Sequence, residues 1–172
     1  MKIFDSPIGM LEICATDGKL VMCDWVQSAY HRRNLKRVAG FEADEQLEVR
    51  VCDILEKYFA GKITDLSEIS VESAGTSFQK CVWDALKGIP WGSTVSYAEL
   101  ACRVGSHPRA VARAVGANPT SIFIPCHRVI GKDGSLVGYA GGLDAKAFLL
   151  ELENFTVEHS PKGSSRAWRI QH

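Results

Sequence analysis

The stretch that most constrains the fold is residues 11–25, where side chains alternate in character around Thr16-Asp17-Gly18. Leu11, Ile13 and Ala15 fall on one face of a strand and Glu12 and Cys14 on the other, because successive side chains of a strand point to opposite sides. Asp-Gly supplies the left-handed conformations that a tight hairpin turn needs, and Leu20-Val21-Met22-Cys23-Asp24-Trp25 returns. Residues 1–27 therefore read as strands of a small antiparallel sheet. The period then changes: from Ala43 to Phe59, Leu47, Val51, Ile54, Leu55 and Tyr58 recur at helical spacing, with Gly61 as a stop. A helix covering a sheet is expected, followed over residues 62–75 by a strand and a linker ending at Ala74-Gly75.

The next segment reads as helical. Thr76 or Ser77 can cap a helix through Leu86, with Phe78, Cys81, Val82, Ala85 and Leu86 expected on its inner face, and Gly88-Ile89-Pro90-Trp91-Gly92 ends it. Ser96-Tyr97-Ala98-Glu99 has the form of a capping box, and Pro108 suits the first turn of a further helix after Gly105-Ser106-His107. Two short helices around a tight turn make a helix-turn-helix. The fold class is α+β: residues 1–75 an N-terminal supporting domain of antiparallel sheet and covering helix, residues 76–153 a mainly helical domain with the helix-turn-helix, and residues 154–172 a flexible tail.

No apolar run among the 172 residues approaches a membrane span, and the start, Met1-Lys2-Ile3-Phe4-Asp5, has no hydrophobic signal region. A soluble intracellular chain is expected, cytoplasmic, or nuclear in a eukaryote. In that setting Cys14, Cys23, Cys52, Cys81, Cys102 and Cys126 are reduced thiols rather than a disulfide framework. Cys14, Cys23 and His31 are three potential zinc ligands, but no fourth stands at a typical spacing, so no metal is expected. The net charge is zero, yet residues 1–75 hold nine Lys/Arg against thirteen Asp/Glu and residues 76–128 hold six against two. An acidic support joined to a segment that meets an anion fits that asymmetry. The basic run from His31 to Arg37 reads as a solvated loop or helix end, with phosphate contact the sharper alternative.

Chemistry concentrates in Ile124-Pro125-Cys126-His127-Arg128-Val129-Ile130. A thiol attacks only as thiolate, and His127 is the candidate base; neighbours in sequence diverge, so their coupling is expected to run through a water. With Asn118-Pro119 upstream and Gly138-Tyr139-Ala140-Gly141-Gly142 downstream, the segment resembles the O6-alkylguanine-DNA alkyltransferases, whose signature is Pro-Cys-His-Arg-Val followed by Gly-Tyr-x-Gly-Gly. Gly75-Thr76-Ser77-Phe78-Gln79, Val82-Trp83 and Ile89-Pro90-Trp91-Gly92-Ser93-Thr94-Val95-Ser96-Tyr97 resemble further segments of that family in its order.

The resemblance implies a single irreversible transfer of an alkyl group from O6-alkylguanine, and possible action on O4-alkylthymine, in double-stranded DNA to Cys126, by a monomer without cofactor, after the nucleotide is flipped from the stack. Glu153 would orient His127, as an acid orients a base in a triad. Asn118 would fix the turn before Cys126, and Tyr97 would protonate the leaving guanine. Tyr139 would stack on the base, the Ala140 amide would donate to O6, and the Cys126 and Val129 carbonyls would receive the exocyclic amine. Arg128 is expected to bond backbone carbonyls and hold the two domains together. Tyr97, Arg109, Ala110, Arg113, Ala114 and Gly116 form the implied DNA-contacting set. The helix from Pro108 carries alanines instead of base-reading side chains, which suits close approach to a minor groove.

This helix is about three residues shorter than the family pattern, so two arginines compete for the gap left by the flipped nucleotide. Counting back from Asn118 selects Arg109; the local Arg-Ala-Val-Gly match selects Arg113, which is favoured here for its depth along the helix. Rival classes fit less well. Non-catalytic alkyltransferase-like sensors carry tryptophan where this chain has Cys126, and a helix-turn-helix regulator would need base-reading side chains. A cysteine hydrolase or thiol peroxidase would form no stable alkylated product.

Overall fold

A computed structural model describes residues 1–159 and 168–171. Strands β1 (Lys2–Ser6), β2 (Gly9–Thr16) and β3 (Lys19–Trp25) form an antiparallel sheet in that order, with Phe4 opposite Leu11 and Leu11 opposite Trp25. The β2–β3 turn has positive φ at both Asp17 (49°) and Gly18 (71°), the conformation that Asp-Gly favours. A bulge between Cys14 and Ala15 breaks the ladder, and the freed Ala15 N–H donates to the buried carboxylate of Glu48 at 3.2 Å.

After helix α1 (His31–Val38), helix α2 (Glu45–Phe59) lays Val51, Ile54, Leu55 and Tyr58 over the sheet. Asp44 caps α2 through the Leu47 amide and also accepts from Gly18, so one side chain ties the helix start to the hairpin turn. The basic run of the sequence is thus a helix in its own right. Residues 62–75 contain no strand; only Val71 bridges, pairing with Leu20 at the edge of β3.

Helix α3 (Ser77–Lys87) opens with a capping box between Thr76 and Gln79. Its inner face is rotated from the expected one. Val82, Trp83 and Leu86 are buried, while Phe78 and Cys81 are exposed. Trp83 sets the rotation: its Nε1 donates to the Ala114 carbonyl at 2.9 Å, and its ring lies so close to Gly75 that a β-carbon there would sit 2.6 Å away. Strand β4 (Val95–Ser96) leads into α4 (Tyr97–Arg103), capped by the Ser96–Glu99 box, and α5 (Pro108–Gly116) packs against α3 and α4.

The two halves share a core, since Ile122, Phe123 and Leu149 pack with the sheet and α2. The joint continues into the backbone: Cys23 N–H donates to Pro119 at 2.9 Å and Ser121 N–H to Cys23 at 2.7 Å, so residues 119–121 extend the sheet alongside β3. Next come a 3₁₀ turn (Cys126–Arg128), β5 (Val129–Ile130), parallel to β4, and α6 (Leu143–Leu152). The residues after Asn154 differ from the expected flexible tail. β6 (Val157–His159) and β7 (Trp168–Ile170) pair antiparallel, and Ile170 is buried with Ile130, Leu136 and Leu150. The Ser160 to Ser165 part of that expectation lies outside the described residues.

Candidate active site

Sheet extension fixes where the Cys126 turn begins. Ile122, held at φ 73°, turns the chain sharply inside the core, a costly conformation for a β-branched residue that the surrounding hydrogen bonds must enforce. Asn118 is the chief clamp. Its Oδ1 accepts from the Thr120 amide (3.0 Å) and hydroxyl (3.2 Å), while its Nδ2 donates to Ile124 O (2.9 Å) and to Cys126 Sγ (3.2 Å). The residue that fixes the turn therefore also places a donor on the sulfur. Cys126 lies in the 3₁₀ turn, not in a strand.

Glu153, the C-cap of α6, is buried beneath this turn. Its Oε1 pairs with His127 Nε2 at 2.7 Å and accepts from Tyr58 Oη at 3.4 Å; Oε2 accepts from the Gly92 amide at 3.3 Å. Arg128 forks onto both oxygens, Nε at 2.9 Å to Oε2 and Nη2 at 2.9 Å to Oε1. Its remaining contact is to one carbonyl, Ile89 O at 2.6 Å, so the expectation of an arginine bound to backbone carbonyls is corrected: its main partner is a carboxylate. A guanidinium matches a carboxylate with two donors at once, which a single carbonyl cannot offer. The tie from the N-terminal half to this cluster comes instead through Tyr58 of α2.

Burial alone would raise the Glu153 carboxyl, but His127 and Arg128 outweigh it and hold the group at about 2. Burial lowers the His127 pKa, with Glu153 opposing. The pair at neutral pH is thus a carboxylate and a neutral imidazole whose Nε2–H donates, which leaves Nδ1 as a bare acceptor. Nδ1 is buried and has no protein partner among the described residues. Burial raises the Cys126 thiol, while the Asn118 donor and the Lys146 charge pull it back. The net effect is a thiol held protonated at neutral pH.

Cys126 opens into a cleft of about 570 Å³ lined by Tyr30, Tyr97, Pro108, Ala112, Gly116, Asn118, Tyr139 and Ala140, a volume within the range of small-molecule sites. Tyr97 Oη donates to Val137 O at 3.2 Å; burial and then the Cys126 charge raise its pKa, so it stays a proton donor. Tyr139 stands edge-on to His127 and receives Trp25 Nε1 at 3.3 Å. Gly141 packs on that tryptophan, where a β-carbon would lie 2.8 Å from the ring, so the glycine-rich loop is seated on β3. The Val129 carbonyl is already shared, because Lys146 Nζ donates to it.

Lys146 is the residue that the sequence reading missed. It is fully buried, its Nζ also reaching Val137 O (3.0 Å) and Gly138 O (3.3 Å), and burial lowers its pKa to about 8 against the Cys126 charge, which raises it. Its spacing from Leu143, Leu149 and Leu150 on one helix face was the available signal.

The implied DNA-contacting residues divide. Ala114 is buried against α3, its carbonyl held by Trp83, and it borders a groove beside Arg113 rather than the Cys126 cleft. Gly116 lines the cleft, but Ala110 and Arg113 line a separate groove with Tyr30, Arg33, Thr76 and Gln79. On a helix that turns roughly 100° per residue, Arg109 lies about 20° from Gly116, and Arg113 about 40° further round towards Ala117. Arg113 thus borders that second groove rather than the Cys126 cleft. Of Cys14, Cys23 and His31, the histidine pairs with carboxylates instead, Glu12 at 2.8 Å and Asp24 at 3.6 Å.

A buried thiol lining a cleft, with a carboxylate-paired imidazole next in sequence, marks the candidate site of a cysteine protein on an α+β fold. Residues 1–73 match the ribonuclease-like domain of 6-O-methylguanine DNA methyltransferase and residues 77–155 its DNA binding domain. The chain belongs to the 6-O-methylguanine DNA methyltransferase family. A methylated-DNA–protein-cysteine methyltransferase of Haemophilus influenzae is 41% identical over 94% of this chain and 88% of its own. One from Methanosarcina acetivorans is 39% identical over 88% and 96%. The crystal structure of Mycobacterium tuberculosis OGT in complex with DNA superposes with a TM-score of 0.79 at 39% identity, covering 89% of this chain and 92% of that one.

Proposed function

We propose that the protein repairs DNA by moving the alkyl group of O6-alkylguanine onto Cys126, once per molecule, as a monomer acting on the duplex. The observation that carries this reading is the buried Glu153–His127 pair next in sequence to the thiol, whose Nδ1 is left without a protein partner among the described residues. A water between Nδ1 and Sγ takes the thiol proton to His127, and Asn118 Nδ2 stabilises the thiolate that forms. Sulfur then attacks the alkyl carbon in line; the S–C bond forms as the O6–C bond breaks, and its electrons leave on guanine. Tyr97 gives its proton to the leaving guanine and is reprotonated through water from the His127 imidazolium, so the thiol proton ends on the base and both residues return to their neutral forms. Carbon–sulfur bonds have no easy route back to thiolate, so turnover stops.

Tyr139 stacks on the flipped base, and the Ala140 amide donates to O6. The Cys126 and Val129 carbonyls receive the amine with the lone pairs left after their bonds to Val129 N–H and Lys146. Arg109 occupies the gap in the stack, and Gly116 allows close approach. Incubation with an O6-methylguanine oligonucleotide followed by intact mass tests the reading: one stable methyl on Cys126, none on Cys126→Ser, and no second turnover. Repeated turnover would refute it.

A further inference from the structure

Helix α1 carries Arg32, Arg33, Lys36 and Arg37 in eight residues with no carboxylate, inside a segment that is otherwise acidic. None of the four forms an ion pair among the described residues, whereas Lys19, Arg50, Lys87 and Arg128 do. Clustered like charges without partners repel one another, and a polyanion relieves that repulsion. Their placement is specific. The Arg33 guanidinium lies 4.7 Å over the Tyr30 ring, which fixes the fork of donors. Tyr30 is at once a wall of the Cys126 cleft and a wall of the groove of about 380 Å³ that holds Arg33, Thr76, Gln79 and Arg113. One arginine from each half of the chain therefore borders the same groove, on the far side of one tyrosine from the thiol.

We infer that α1 and this groove are a second DNA contact, taking the sugar-phosphate backbone of the duplex whose damaged nucleotide enters the cleft. The inference rests on the repair reading above. It makes the N-terminal half part of the DNA-binding surface, with Arg33 and Arg113 on phosphate.

The test is binding of unmodified duplex, followed by fluorescence anisotropy across a salt series. Each phosphate contact contributes a slope of about −0.9 in log affinity against log salt. Arg33→Ala should lower the slope by about one contact, and the triple change Arg32→Ala, Arg33→Ala, Lys36→Ala by about two to three. Arg33→Lys should keep the slope, because counterion release counts charge. Arg50→Ala, on α2 and paired with Glu68 at 2.8 Å, should change nothing. Slopes equal to that of the unaltered protein in both Arg33→Ala and the triple variant would overturn the inference. Unaltered protein that binds duplex yet accepts no methyl from O6-methylguanine would refute the repair reading alone, and the slopes would still decide the surface. No duplex binding at any salt would overturn both.

Discussion

Replacing Glu153 with Gln removes the charge on which the buried cluster converges while keeping its shape. In the folded protein the carboxyl is held at about 2, against an ordinary glutamate near 4.3, a drop of roughly two units. At about 1.4 kcal/mol per unit, ionised Glu153 contributes on the order of 3 kcal/mol at neutral pH. Removing one partner of a buried ion pair costs about 3–5 kcal/mol by an independent route, because Arg128 is left buried and unpaired. The sign of the pH dependence follows from the depressed pKa. The contribution is fully present above the unfolded-state value and is lost as pH falls through the folded one. Protonated Glu153 and Gln are both neutral, so the two proteins should converge in acid. Urea denaturation should give Glu153→Gln a deficit of about 3 kcal/mol near pH 7 and about 1.4 kcal/mol near pH 3. A deficit that is small at neutral pH, or that does not shrink in acid, would refute the reading of Glu153 as an ionised hub.

Alkyl transfer in a preformed complex should lose rate as pH falls through a value below the ordinary histidine range of about 6.5, because burial lowers His127 and only its neutral form accepts a proton. A single-turnover pH profile with its acid limb above about 7 would contradict that. Arg109→Ala should slow repair of duplex far more than transfer from free base, while Arg113→Ala should mainly weaken binding and lower the salt slope by about one contact; the reverse pattern would restore the sequence's preference for Arg113. Truncation after Phe155 removes the Leu136–Trp168 (2.9 Å) and Ile170–Gly134 (3.1 Å) backbone hydrogen bonds, and hydrogen exchange should quicken across residues 131–137 next to the cleft. Unchanged protection there would show that β7 does not brace the loop.

Short-range chemistry was legible in the chain itself. The Asp17-Gly18 turn, the run of helix α2, the Ser96–Glu99 capping box and Pro108 at the start of α5 depend on residues close in sequence, and they stand as read; the Asp44 cap and the Gln79 half of the Thr76 box came only with the structure. His127 and Glu153 do meet, at 2.7 Å, a contact that only the family resemblance implied, since 26 residues separate them. Tertiary contact decided the rest. Trp83, drawn to the Ala114 carbonyl, turned α3 and buried Ala114. Glu153 outbid the backbone for Arg128, and Leu136 gave the residues after Asn154 an edge to pair with. The direction of Arg113 followed from how α5 packs on α3 and α4, and the burial of Lys146 from three carbonyls brought together by separate segments. Periodicity says which residues share a face; only the packed neighbour says which way that face turns.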